Sequence, residues 1–159
     1  MNHIELLSRR LREQGWSKRG LSLHMGWHAD KIHRWSTGEH NAWVADVERC
    51  WQEIGHTLLP VRVPYIKPRL TVGDNPKKFQ AKYQDTHKII HMLFSEIEER
   101  RLVKKAVFDA AGVPDRECRR WAKQPQGGGI ECVEACFNVM GMSLLPFPIS
   151  TLGAIHAAA

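Results

Sequence analysis

Two short stretches of the chain combine charged and polar side chains with a helical spacing. They run from Gly26 to Trp35 and from Gly112 to Trp121. In each stretch a glycine that can adopt a positive φ precedes a turn. An apolar residue and a tryptophan then follow three positions apart, on one face of a helix. The residues between them are predicted to face outward: Ala29, Asp30, Lys31, His33 and Arg34 in the first stretch, and Asp115, Arg116, Glu117, Arg119 and Arg120 in the second. Their donors and acceptors are suited to base edges in the major groove of DNA.

The two stretches belong to a tandem repeat. A shift of 86 positions aligns residues 4–60 with residues 90–146 without a gap, and about a quarter of the aligned positions are identical. Both copies end in Leu-Leu-Pro. We therefore expect two domains joined by a connector. The first unit covers residues 1–60, the connector 61–86, the second unit 87–148 and a tail 149–159.

Each unit is predicted to contain four helices, the second and third forming a helix-turn-helix. In the first unit, apolar periodicity and capping residues place helices at about 3–14, 18–25, 29–37 and 43–54, with Ser17 at the cap of the second and His28 at the cap of the third. In the second unit the helices are expected at about 86–101, 104–111, 115–123 and 130–140. The predicted fold class is all-α, with two tandem helix-turn-helix domains.

The connector differs from both units in composition. Its internal prolines exclude a continuous helix, although a short edge strand is allowed, and Asn75-Pro76 predicts a brief helix at 77–83. Residues 61–89 carry seven Lys or Arg against two Asp or Glu, so most of the net charge of +6 lies here. We expect its cations to contact phosphates or the minor groove between two half-sites, the short DNA segments read by the two units; the alternative is a solvated linker. These cations are Arg62, Lys67, Arg69, Lys77, Lys78 and Lys82.

Other features of the sequence argue against a membrane protein and against an enzyme. No segment resembles a signal peptide, and no apolar run approaches the roughly 18 residues that span a bilayer, so we expect a cytoplasmic, nucleoid-associated protein. Cys132 and Cys136 fall on one helical face, but no fourth metal ligand is evident. Cys50 and Cys136 occupy equivalent positions of the repeat inside apolar helices, so core packing is favoured over a zinc site. His24 and His28 lack the glutamate of a zinc-protease motif. No catalytic residue, metal or cofactor is therefore expected.

The segment from Trp16 to Gly38 resembles the Cro and lambda-repressor helix-turn-helix family, often called XRE-like. The residues that carry the resemblance are Trp16-Ser17-Lys18, Leu21-Ser22, Met25-Gly26-Trp27, Ile32, Arg34-Trp35 and Gly38. The likeness covers residues 4–60 and recurs more loosely over residues 90–146. It implies that the third helix of each unit enters the major groove, with Ala29, Asp30 and Arg34, or Asp115, Arg116 and Arg120, directed at the bases. It also implies that Lys18 and Lys104 lie near phosphates, and we expect the same of Lys123 at the end of its helix.

These observations favour a sequence-specific, double-stranded DNA-binding transcriptional regulator of a bacterial or phage type, such as a repressor. The alternative is a protein-interaction module of the anti-activator type, which keeps the fold but docks another regulator. Arg34, Arg119 and Arg120 favour DNA, because a protein-docking surface does not need them. Pro114 and Gln124 depart from the family's pattern, so the second unit is expected to read DNA less well or to bind a partner. A homodimer of the chain is a further arrangement that the sequence allows.

Overall fold

The computed structural model describes residues 2–75 and 86–150, and within them the order of elements repeats once. The first unit contains α1 (His3–Glu13), α2 (Lys18–His24), α3 (Lys31–Ser36), α4 (Val44–Glu53) and β1 (His56–Arg62). The second unit contains α5 (Lys88–Glu99), α6 (Lys104–Ala111), α7 (Asp115–Trp121), α8 (Ile130–Val139) and β2 (Met142–Pro148). The four helices predicted for each unit are confirmed. The brief helix expected at 77–83 lies outside the described residues.

The helices form where apolar residues recur on one face and a polar residue caps the first turn. In α1, Ile4, Leu7 and Leu11 are buried, and the Asn2 side chain accepts a hydrogen bond from the backbone N–H of Glu5. In α4, Val44 and Trp51 are among the residues buried on one face. These contacts orient each unit's outer helices around its helix-turn-helix.

The predicted all-α class is wrong, because β1 and β2 form a two-stranded antiparallel sheet. The register runs from His56 opposite Pro148 to Arg62 opposite Met142. Each strand pairs with a strand of the other unit. The sequence therefore lacks the short turn between adjacent strands that predicts a β-hairpin. Pro60 is tolerated because both strands of a two-stranded sheet are edges. The expected domain boundary at residue 60 falls inside β1.

The two units share one hydrophobic core. The buried cluster runs without a break from α1 of the first unit to β2 of the second. Among its fully buried side chains are Trp51 from the first unit and Phe108, Trp121 and Phe137 from the second. A continuous core of this kind holds the units in one fixed arrangement.

Two buried glutamates at equivalent repeat positions connect the units. Glu48 of α4 accepts a hydrogen bond of 2.9 Å from Thr57 and lies 2.8 Å from His87 Nε2 and 2.5 Å from Lys88 Nζ in the second unit. Burial by itself would raise the pKa of Glu48, but hydrogen bonds from these three side chains outweigh it and lower that pKa below its ordinary value.

Glu134 of α8 makes the corresponding contacts in the opposite direction. Its carboxylate accepts hydrogen bonds from the Ser143 hydroxyl (2.5 Å) and the Leu144 N–H (2.8 Å), and it lies 3.3 Å from Nε2 of His3 in the first unit. Burial again opposes ionisation, but contacts with His3, Ser143 and Leu144 lower the pKa of Glu134. Each carboxylate therefore ties its own strand to the first helix of the other unit.

Beyond β1 the chain lies against the second unit. Val63 N–H donates to Gly141 O (3.2 Å) and Arg69 N–H to Val139 O (2.7 Å), both at the C-terminal end of α8. Gly73 N–H donates to Arg100 O (2.8 Å). This part of the connector is thus attached to the protein surface by main-chain hydrogen bonds. Over residues 2–75 and 86–150, no helix is both long enough and apolar enough to cross a bilayer.

Candidate nucleic-acid interface

The helix-turn-helix predicted in each unit is present in the structure. Ser17 caps α2 by accepting a hydrogen bond of 2.9 Å from the Gly20 N–H. Gly26 follows α2 with φ = 72°, and Ile32 and Trp35 of α3 are buried. A left-handed glycine turns the chain so that α3 begins across the end of α2.

The second unit repeats this geometry. Gly112 ends α6, also with φ = 72°, and Cys118 and Trp121 of α7 are buried. Within the two helix-turn-helix motifs, the first helical residue differs from the expectation in α3, which begins at Lys31 after a turn that includes His28, so Asp30 rather than His28 is the cap. Each unit therefore presents the opposite face of its third helix to solvent.

The outward face of α3 carries a mixture of histidine, carboxylate and guanidinium. His28 and His33 are exposed, Ala29 and Asp30 are half-buried, and His28 Nδ1 lies 3.9 Å from an Asp30 carboxylate oxygen. One guanidinium nitrogen of Arg34 lies 3.2 Å from His40 Nε2. This face therefore offers both donors and acceptors.

Lys31 does not share that face, although its position in the sequence suggested that it would. Its ammonium lies 2.9 Å from the Asp46 carboxylate of α4 and 3.8 Å from the centroid of the Trp27 ring. The side chain thus turns back over its own unit, where the ion pair and the cation–π contact hold α3 against α4.

The outward face of α7 is more strongly charged, and its charges pair with one another. Arg119 lies 2.6 Å from Asp115, and Arg120 forms an ion pair with Glu117. The Arg120 guanidinium also lies 5.1 Å from the centroid of the Trp43 ring in the first unit. Arg116 is exposed on the same helix. Arg119 and Arg120 of α7 therefore have carboxylate partners on their own helix.

These ion pairs do not prevent the arginines from binding a nucleic acid. Exposed pairs one helical turn apart contribute only about 0.3–0.5 kcal/mol, because water and salt screen them. A bidentate contact between arginine and guanine contributes roughly 1–3 kcal/mol of discrimination. The ion pairs of Arg119 and Arg120 are thus weak enough for an incoming ligand to displace them.

The flanking lysines occupy different settings in the two units. Lys18 Nζ donates a hydrogen bond of 2.8 Å to the Ser36 hydroxyl, which joins the start of α2 to the end of α3. Lys104, its equivalent, lies with its ammonium 5.5 Å from the Phe94 ring centroid. Lys123 is exposed just beyond α7. Lys18 and Lys123 thus border the helices that carry the outward faces.

The connector cations within the described residues lie at the other end of the molecule. The sheet begins at the C-terminal ends of α4 and α8, and a ten-residue helix is about 15 Å long. Arg62 closes β1 and lies 3.9 Å from Glu96, while Lys67 and Arg69 follow beside the C-terminal end of α8. Lys77, Lys78 and Lys82 lie outside the described residues.

The structure adds Trp43 and His40 to the candidate interface. Trp43 lies under Arg120 and forms an isolated antiparallel bridge with Gly129, its own equivalent in the repeat. The sequence contains one indication of this contact, because a tryptophan in one unit aligns with a glycine in the other. The neighbouring Gly128 must also be a glycine, since a Cβ on it would lie 2.2 Å from the Trp121 ring.

Three of the four cysteines are buried packing residues, whereas Cys132 is exposed and does not take the expected position in the core. Cys50 and Cys136 are fully buried, as predicted from their equivalent positions in the two units, and burial raises the pKa of Cys50 to about 12. Burial likewise raises the pKa of Cys136 above its ordinary value. In the part of the chain that the structure describes, no three His, Cys, Asp or Glu side chains are grouped as metal ligands.

Comparison of the chain with protein-family models, with curated proteins and with solved structures gives no match. The outward faces of α3 and α7 are therefore the features of the molecule that indicate a function.

Proposed function

We propose that the chain is a sequence-specific, double-stranded DNA-binding protein of the transcriptional-regulator class, in which α3 and α7 enter the major groove. One observation carries the proposal. In each unit the apolar residue and the tryptophan of the third helix are buried, and the opposite face is turned to solvent. On that face an arginine lies two positions after the buried apolar residue. That arginine is Arg34 in α3 and Arg120 in α7. The resemblance of residues 16–38 to the XRE-like family supports the same role.

The proposed footprint follows from exposure and placement. The base-reading set comprises His28, Ala29, Asp30, His33 and Arg34 from the first unit, and Asp115, Arg116, Arg119 and Arg120 from the second. Lys18, Lys104 and Lys123 are proposed to hold phosphates at the ends of these helices. Arg62, Lys67 and Arg69 are left out, because they lie at the opposite end of α4 and α8.

A selection experiment with random DNA tests this function. The full chain is incubated with a library of random 30-base-pair duplexes at about 0.15 M salt, and bound duplexes are sequenced over several rounds. We expect one motif to be enriched by the wild-type chain. An Arg34→Ala, Arg120→Ala double variant with an unchanged thermal transition serves as the control, and it should lose the enrichment. Recovery of unrelated sequences by the wild-type chain would contradict the proposal.

The internal pairing on α7 supports a second candidate function, a protein-docking module. Asp115 with Arg119, and Glu117 with Arg120, leave that face close to neutral, which suits a protein partner better than a phosphate backbone. Binding of DNA with no preference for sequence, or no binding at all, would favour this candidate.

A further inference from the structure

Two main-chain contacts each join a residue to its own repeat equivalent. In the sheet Leu59 lies opposite Leu145, and at the other end of α4 and α8 Trp43 forms its bridge with Gly129. The members of each pair are 86 positions apart, which is the shift that aligns the repeat. Antiparallel pairing of a residue with its own equivalent implies a two-fold axis that passes between the two residues. The two contacts therefore define an axis that passes lengthwise between α4 and α8.

The hydrogen bonds around each contact obey the same symmetry. Val44 N–H donates to Gly128 O and Ile130 N–H donates to Ala42 O, both at 2.8 Å, and each bond is the repeat equivalent of the other. Beyond the sheet, Val63 N–H donates to Gly141 O, and the equivalent bond from Ile149 N–H to Gly55 O is also present. The units are thus related as the two subunits of a symmetric dimer are.

This axis determines how α3 and α7 are presented. A rotation by half a turn about this axis exchanges α3 with α7, so their outward faces have opposite directions across the axis and the same direction along it. The C-terminal ends of the two helices approach each other around a cavity of about 400 Å³ lined in part by Trp35, His40, Trp43, Arg120 and Trp121. The shared core and the Glu48 and Glu134 contacts fix this arrangement.

From this geometry we propose that one chain binds one inverted repeat of fixed spacing, whose two half-sites share one base pair and differ at others. The inference rests on the proposed DNA-binding function and specifies its DNA. Half-sites of opposite orientation match helices related by a two-fold axis, whereas tandem units on a loose connector could read a direct repeat.

The shared and unlike positions follow from the aligned residues. Arg34 and Arg120 are equivalent, so a guanine is expected at the same distance on either side of the centre. Ala29 and Asp30 align with Asp115 and Arg116, which differ in size and charge, so the base pairs they face should differ between the half-sites. The site is therefore an imperfect palindrome.

The test uses the motif enriched from random duplexes and four designed duplexes of equal length. One carries the selected site, the second has one half-site turned into a direct repeat, the third has five base pairs inserted at the centre, and the fourth has one half-site scrambled. Five base pairs rotate one half-site to the opposite side of the helix. Affinity is measured with the full chain by fluorescence anisotropy, and stoichiometry by native mass spectrometry.

We expect the selected site to bind one chain. The direct repeat and the insertion should bind about a hundredfold or more weakly, no better than the scrambled duplex, because each loses simultaneous binding of the two units. Equal affinity for the direct repeat, tolerance of the insertion, enrichment of a single half-site, or two chains on one inverted repeat would overturn the inference while leaving DNA binding intact. Failure to enrich any sequence would overturn the proposed function as well.

Discussion

The third helices of the two units differ in how their charges are held, although both follow the same turn and bury equivalent residues. In α3, Lys31 is directed inward to Asp46, while His33 is exposed. In α7, the residue equivalent to Lys31 is Glu117, and it pairs with Arg120 of the same helix. Several core positions are identical in the two units: Val47, Cys50 and Leu59 recur unchanged as Val133, Cys136 and Leu145. Trp43 and Gly129, which face each other across the two-fold axis, differ, so the units diverge at this contact as well as on the outward surface.

The largest effect is expected where the units are most alike, in their common core. Trp51 and Phe137 occupy equivalent, fully buried positions. Replacing either with alanine should lower the free energy of unfolding by about 3–5 kcal/mol, because a large cavity remains. Since the core is continuous, denaturant unfolding of each variant, followed by tryptophan fluorescence and by circular dichroism, should remain a single transition.

Leu23→Ala is a suitable control, because Leu23 is 54% exposed and its loss should change the stability by less than about 0.5 kcal/mol. Two separate transitions in Phe137→Ala, with the first unit melting at the wild-type midpoint, would show that the units fold independently.

Substitution of the two buried glutamates should lower the free energy of unfolding by different amounts. Glu134→Ala leaves His3, the Ser143 hydroxyl and the Leu144 N–H without their acceptor inside the protein, and should cost about 3–5 kcal/mol. Glu48→Ala should cost less, because Lys88 is 46% exposed and can turn to water. Thermal and urea denaturation at pH 7 measure both values, and equal losses would contradict this account of the asymmetry.

The same carboxylates make the stability depend on pH. The pKa values of Glu48 and Glu134 are lowered in the folded protein from an ordinary value of 4.5, so their contribution is complete above that pH and is lost as the pH falls below it. Glu134→Gln, which keeps an acceptor oxygen but does not titrate, should flatten the decline between pH 5 and pH 3 measured by urea denaturation. An unchanged decline would assign the acid sensitivity to other groups.

Arg34 and Arg120 allow the two reading surfaces to be compared directly. Arg34→Ala should remove about 1–3 kcal/mol of preference for one base pair in one half-site, and Arg120→Ala should do so at the symmetric base pair of the other. Binding to duplexes substituted at each position measures the preference. Arg34→Lys, which keeps the charge without the bidentate fork, is the matched control and should lose preference with little loss of affinity. If Arg34→Ala weakened binding to all sequences equally, Arg34 would be a phosphate contact.

The smallest effects are expected at phosphates. Lys18→Gln should reduce the slope of log affinity against log salt concentration by about one, since one fewer counterion is released. The same substitution at Lys67 should leave the slope unchanged, because Lys67 lies at the end of the molecule that carries the sheet. Titrations between 50 and 300 mM salt distinguish the two, and a reduced slope for Lys67→Gln would extend the footprint to the connector.

The sequence was sufficient to predict features that depend on local interactions. The cap at Ser17, the left-handed turn at Gly26 and the burial of Ile32 and Trp35 all follow from residues close together in the chain, and each was predicted. The repeat also predicted correctly that Cys50 and Cys136 lie in the core.

Features that depend on contact between the units could not be predicted in this way. The segment containing Leu58-Leu59-Pro60 shows no partner within its own unit, so the sheet was missed and the all-α class was wrong. Lys31 turns inward because Asp46 and Trp27 lie on one side of it, which helical periodicity alone does not reveal. The connector was predicted to contact DNA between the half-sites, because its main-chain bonds to α8 depend on the tertiary fold and leave no signal in the sequence.

The pairing of Trp43 with Gly129 bears on which units can associate with each other. Where two copies of one unit meet across a two-fold axis, a residue that contacts its own equivalent meets an identical side chain. Two first units would therefore bring tryptophan against tryptophan at this point, and two second units would bring glycine against glycine. A large side chain opposite a glycine fits one first unit against one second unit, so this contact favours the pairing of unlike units over the association of either unit with its own copy.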